Sequence, residues 1–163
     1  MVAVQIYEGL EGALFAAAEQ PVNGTLLVNL QVVFEELVGD VAADGLVWGF
    51  GVAFVPEKEY EDMDDSEKKN MFDGPKTERV ITPEMRQLAF DNYATTDDHG
   101  MHIIGMAMDQ TGRKYYKVKN SWGAKNDYKG YIYVTSAFVQ YKTTAILLHK
   151  EGIPGAIKKQ LSI

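Results

Sequence analysis

The sequence predicts an α+β domain: a small, twisted antiparallel sheet or half-barrel with flanking helices. Three observations lead there. β-branched, aromatic and apolar runs cluster between Met101 and His149. Helical apolar spacing appears before Val38, after Thr82 and again near the C-terminus. Gly, Pro, Asn and Asp punctuate the boundaries between these segments.

The elements follow in order. Met1–Gln20 is small and apolar, with Tyr7, Leu10, Leu14 and Phe15 near helical spacing, and reads as a helix interrupted around Gly9 and Gly12. Pro21-Val22-Asn23-Gly24 is a turn. Thr25 reads as the N-cap of a second helix from Leu26 to about Val38, with Leu26, Leu30, Val33 and Leu37 on one face. Leu46–Val55 reads as a strand ended by Pro56, which lacks a donor for the ladder. Trp48 in that strand reads as core. Glu57–Lys69 is densely charged and reads as a solvated helix or loop; it lacks the spacing and central glycine of a calcium loop. Thr82-Pro83-Glu84 starts a helix to about Asn92, with a capping hydroxyl, proline at the first position and an acid at the positive end. Tyr93–Asp98 is a loop that leads into His99.

Met101–Met108 is almost wholly apolar and reads as a buried strand. Asp109–Arg113 is turn chemistry in which Gly112 is free to take positive φ. Lys114–Lys119 alternates, so the two runs form a hairpin. Tyr131–Val134 and Thr143–His149 read as further strands, Thr135–Phe138 as a capped short helix, and Pro154 as the opening of a last helix, Gly155 to about Leu161. The whole of 1–163 is taken as one domain, with a helical N-terminal segment over 1–43 and a β-rich part over 44–163.

Composition narrows the partners. A net charge of −7 without a Lys/Arg cluster argues against nucleic acid and against an anionic membrane. No apolar run reaches membrane-spanning length, and no basic region precedes the N-terminal apolar stretch, so the chain reads as cytoplasmic. The sequence has no cysteine, which excludes disulfides and thiolate metal sites.

If the hairpin pairs about Asp109–Arg113, Met101 lies nearly opposite Asn120 or Ser121, and His99 comes close to Asn120. A histidine acting as general base needs its second ring nitrogen held so that one tautomer faces the substrate. An asparagine carbonyl does this without adding charge, and an indole beside the pair keeps water off the hydrogen bond. His99, Asn120 and Trp122 supply those groups. His102, three residues on from His99, points to the opposite face of a strand and does not form a metal pair with it.

Asp98-His99-Gly100-Met101 with Gly105, and Lys119-Asn120-Ser121-Trp122-Gly123 with Lys129-Gly130-Tyr131, resemble the histidine and asparagine segments of papain-like cysteine peptidases. Within these they are similar to the bleomycin hydrolase/aminopeptidase C branch. The resemblance is good from about Ile81 onward and looser over Asp44–Pro56. It implies a papain-like C-terminal antiparallel sheet or half-barrel, with His99 and Asn120 catalytic, Trp122 supporting, and neither cofactor nor metal. The family's nucleophilic cysteine and oxyanion glutamine come from an N-terminal helical domain that this sequence does not reproduce. The chain is therefore expected to be the half that supplies histidine and asparagine, inert alone. Its expected partners are a peptide substrate in the complete enzyme, the nucleophile domain and, since the branch assembles as hexamers, further copies of itself. The alternative is a non-catalytic binding module that keeps the fold without the chemistry.

Overall fold

A computed structural model of the protein describes residues 21–22, 25–26, 30–34, 51–95, 99–121, 123–124, 126–147, 153 and 155–162. Up to position 34, and at 99 and 147, only the backbone is described. The helix expected over Met1–Gln20 and the Leu46–Phe50 part of the expected strand lie outside these residues.

The central feature is a six-stranded sheet in the order β4-β7-β6-β5-β3-β8. Its strands are β3 (Leu30–Phe34), β4 (Val52–Ala53), β5 (His99–Met108), β6 (Lys114–Lys119), β7 (Tyr131–Thr135) and β8 (Thr143–Leu147). A separate two-stranded ribbon pairs β1 (Pro21–Val22) with β2 (Thr25–Leu26) across Asn23-Gly24.

The helix expected from Leu26 to Val38 is overturned where the backbone is described. Leu26 lies in β2, and Leu30–Phe34 is a strand paired on one side with β5 and on the other with β8. Leu30-Gln31-Val32-Val33-Phe34 is rich in β-branched and aromatic residues, and two ladders outweigh a near-helical apolar spacing. The sheet is also mixed rather than wholly antiparallel. β4 runs parallel to β7, pairing Val52 with Tyr133 and Ala53 with Val134; the long connection between them makes that possible.

The local elements of the second half form near their predicted positions, but the first hairpin strand begins at His99 rather than Met101 and the helix capped by Thr135 runs on to Lys142 rather than ending at Phe138. β6 spans Lys114–Lys119, and the turn before it holds Gly112 at a φ of 86°. Asp109 organises this turn. Its carboxylate accepts from Thr111 N–H at 2.8 Å, the Thr111 hydroxyl at 2.6 Å, Arg113 N–H at 3.0 Å and the Tyr115 hydroxyl at 3.0 Å. These donors, the Thr111 hydroxyl foremost, hold its carboxyl down at about 2, so it is ionised at any ordinary pH.

Among the described residues the α-helices are α1 (Asp65–Lys69), α2 (Pro83–Asp91), α3 (Ser136–Lys142) and α4 (Gly155–Leu161). Asp64 and Glu67 form a reciprocal capping box on α1, within the charged block. Thr82 caps α2 and Thr135 caps α3. Arg86 on α2 donates to the carbonyls of Gln140, Tyr141 and Thr143, satisfying acceptors that the end of α3 leaves unpaired.

The core lies on one face of the sheet. Across it run Met106–Tyr116–Val134–Ala53 and Ile103–Val118–Ile132, with Phe138, Val139 and Ile81 packed over them. Ile103, Val118 and Val134 are fully buried; each contributes about 1.5–3 kcal/mol by leaving water. The extended segment before α2 is tied to the sheet by Glu78. Its Oε1 accepts from Val55 N–H at 3.0 Å and from the Thr135 hydroxyl at 2.5 Å, and Oε2 lies 3.5 Å from Arg113 Nη1. Arg79 N–H adds a bond to the Val55 carbonyl at 3.2 Å.

Candidate active site

The β5–β6 hairpin sets the register of the site. His102 pairs with Lys119 and Ile103 with Val118; one extra residue at Ile104 then shifts the ladder so that Gly105 pairs with Lys117. Continued by one pair past Lys119, the ladder sets Asn120 opposite Met101, one of the two registers read from the turn chemistry. Successive residues of a strand alternate faces. Positions 99, 101 and 103 therefore share one parity on β5, as do 118 and 120 on β6, and Ile103 and Val118 meet on the core face.

Asn120 is buried, with 6% of its surface exposed, and its N–H donates to the Gly130 carbonyl at 3.0 Å. That bond extends the β6–β7 ladder by one step beyond Lys119–Tyr131. His99 is the first residue of β5, and its backbone pairs with Phe34 of β3. The side chain of His99 and the whole of Trp122 lie outside the described residues. His102 is exposed and pairs along the backbone with Gln31 and Lys119. Among the described residues no group of three or more His, Cys, Asp or Glu could hold a metal.

The loop that follows Asn120 is held by a second asparagine that the motif reading passed over. Asn126, 9% exposed, accepts from Gly130 N–H at 2.6 Å and donates through Nδ2 to the Tyr131 carbonyl at 2.9 Å. Its own carbonyl accepts from Lys129 N–H at 3.0 Å. An asparagine four residues before a glycine was the available signal, since the Asn side chain readily closes a turn onto backbone groups. Lys117 and Lys119 place their ammonium groups 4.6 Å and 4.8 Å from the centre of the Tyr131 ring, and Lys119 Nζ also donates to the Lys129 carbonyl at 3.3 Å.

Gly130 is the residue on which the loop closes. Its φ is 82°, and a Cβ there would lie 2.1 Å from the Gly123 carbonyl oxygen and 2.5 Å from Lys119 Nζ. The backbone oxygen has no room to give. We expect Gly130→Ala to destabilise the protein by about 3 kcal/mol, combining the cost of a left-handed alanine with overpacking. Urea denaturation of the two proteins measures it, and a loss below about 1 kcal/mol would show that the loop can shift freely.

Comparison with known proteins follows the same residues. No curated protein matches the sequence at a significant level. Solved structures do match, with 32 chains found. One is the crystal structure of PepW from Lactobacillus rhamnosis HN001, with a TM-score of 0.50 and 17% identity, covering 82% of this chain and 25% of that one. This chain thus spans a quarter of that neighbour's length, and at such identity the likeness speaks for the fold. The family model of the Peptidase C1-like family matches residues 27–162. It takes in the strand at Leu30–Phe34, the hairpin that carries His99 and Asn120, and the last helix, and by this match over most of its length the chain belongs to the Peptidase C1-like family.

Proposed function

We propose that this chain supplies the histidine and asparagine of a papain-like cysteine peptidase similar to aminopeptidase C and bleomycin hydrolase. In this reading His99 is the general base and acid, Asn120 fixes its tautomer, and Trp122 shields their hydrogen bond. The thiol is brought by a separate nucleophile domain, and thiol and imidazole form a thiolate–imidazolium pair. The thiolate attacks the peptide carbonyl, and His99 returns the proton to the leaving amine. Water, deprotonated by the same imidazole, then releases the acyl-enzyme and restores the thiol. The observation that carries the reading is the hairpin register, with a buried Asn120 at the end of β6 and positions 99 and 120 at one end of the sheet on one parity.

A second reading, a binding module without catalysis, is favoured by the absence of cysteine from all 163 residues. The coding sequence upstream of Met1 separates the two: a glutamine shortly before a Cys-Trp pair decides for the peptidase.

The orienting role is tested without activity. Long-range proton–nitrogen correlation spectra report which ring nitrogen of His99 carries the proton. We expect one dominant tautomer in the parent chain and a mixture in Asn120→Ala, with Asn120→Asp shifting the His99 titration upward because a carboxylate favours imidazolium. Identical His99 spectra in all three proteins would remove Asn120 from the proposal.

A further inference from the structure

The sheet has a second face, and it carries a cleft away from the His99 end. We propose that this cleft, about 520 Å³ in volume, binds a small molecule or chain end in which an aromatic group carries a nearby carboxylate. Its floor is built from the row Ala107–Tyr115–Thr135 and the neighbouring pair Tyr133–Val52, the parity opposite to the core rows. Ala107 is eight residues along β5 from His99, roughly 26 Å at about 3.3 Å per residue. The site is therefore distinct from the candidate catalytic end, and the inference holds whether or not the peptidase reading does.

Aromatic rings form the walls. Phe54 and Phe72 meet edge to face with centroids 5.6 Å apart, and Tyr128 and Tyr133 do so at 6.4 Å. Tyr128, 43% exposed, lays its ring over the backbone of Gly51. A Cβ at Gly51 would lie only 2.3 Å from its ring, so only glycine at position 51 admits the ring there. Ring faces and edges on two walls favour a planar aromatic guest, and the volume lies within the ordinary range for small-ligand sites of about 300–1,000 Å³.

The charges around the cleft select the second part of the ligand. Lys76 and Arg113 line it together with one carboxylate, Asp109, giving a positive balance in a chain of net charge −7. Asp109 is occupied by Thr111, Arg113 N–H and Tyr115. The Arg113 guanidinium is also committed, donating to the Lys76 carbonyl at 2.8 Å and lying 3.5 Å from Glu78. The Lys76 ammonium has neither a hydrogen bond nor an ion pair among the described residues. A cation uncommitted among the described residues, beside aromatic walls, suits an anion attached to a ring.

The wall residue Tyr128 belongs to the loop that Asn126 and Gly130 hold closed, and the loop begins at Asn120. Occupancy of the cleft should therefore register at the amides of Asn126, Tyr128 and Gly130 as well as at Gly74 and Gly112.

The test is a titration of the full chain followed by proton–nitrogen correlation spectra. The probes are N-acetyl-phenylalanine, its uncharged amide, phenylacetate and an N-acetylated dipeptide ending in phenylalanine. We expect saturable shifts at those amides, with N-acetyl-phenylalanine binding about fivefold more tightly than its amide, the upper end for a solvent-exposed ion pair. In Lys76→Met the acid should fall to the affinity of the amide while the amide is unchanged. Equal affinities for acid and amide in the parent chain, or no saturable shifts with any probe, overturn the proposal. Tighter binding of the dipeptide than of phenylacetate assigns the site to a peptide C-terminus, and the reverse order to a free aromatic acid; either ranking upholds the site.

Discussion

The chain on its own is expected to leave aminoacyl and peptide reporter substrates uncleaved, and cysteine-directed alkylators should not label it. The reason lies in the chemistry rather than in the fold. With no cysteine in the sequence, the proposed mechanism lacks the thiol that His99 would deprotonate and that would carry the acyl group. Loss of the nucleophile from a comparable triad costs about 10⁶-fold in turnover, which takes any residual rate below that of ordinary reporter assays. Fluorogenic aminoacyl and peptidyl amides, read over hours at high protein concentration, provide the measurement. Thiol-independent cleavage that disappears in His99→Ala would reveal a different nucleophile and replace the proposed mechanism.

Replacing Glu78 with alanine should lower the stability by about 3 kcal/mol, the scale for removing one partner from a mostly buried charged network. At this chain length that is roughly 10 °C in melting temperature. Glu78 joins three separate parts of the molecule: the Val55 N–H after β4, the Thr135 hydroxyl at the end of β7, and Arg113 beside the hairpin turn. Its side chain is 15% exposed, so water cannot easily replace it. Thr135 is itself the N-cap of α3, which couples the loss to that helix. Glu78→Gln keeps an acceptor for Val55 and Thr135 and gives up only the charge toward Arg113, so it should cost about 1 kcal/mol. Thermal unfolding of the two variants decides the matter. Equal and small losses would mean that the segment before α2 is held by its backbone bonds alone.

The second half of the chain was legible because its instructions are local. Asp109-Gln110-Thr111-Gly112-Arg113 specifies a turn, and the alternation of Lys114–Lys119 fixes which side of β6 faces the core. Thr82-Pro83 and Thr135 announce their helices by side chains that bond the first turn. The boundaries of the last helix, Gly155–Leu161, were likewise readable from Pro154 and the lysines near its end. What failed was non-local. Leu30–Phe34 has apolar residues that suit either period, and its strand state is decided by β5 and β8, which no neighbouring residue reveals. The parallel pairing of β4 with β7 and the bulge at Ile104 are of the same kind. So is Glu78, an isolated acid whose three partners lie far away in sequence. Of the candidate site, the turn gave the hairpin register to within one residue, Asn120 or Ser121 opposite Met101, whereas the burial of Asn120 is seen only in the structure. Asn126, which holds the loop, lies outside the motif and was missed, although its place four residues before Gly130 was a signal.

The position of β3 between β5 and β8 also bears on how the molecule reaches its native state. Leu30 must find Ile103, and Gln31 must find Leu147, a pairing that spans more than two thirds of the chain. Contacts this distant in sequence require loop closure before they return any stabilisation, and they slow folding. The β5–β6 and β6–β7 pairs have no such handicap and can form early, leaving the outer edge of β5 with unpaired backbone groups until β3 docks. During that interval the edge is open to pairing with another chain. Refolding at rising protein concentration should then divert material into aggregates through this edge, and a charged substitution within Leu30–Phe34 that delays docking would widen the window rather than merely weaken the finished sheet.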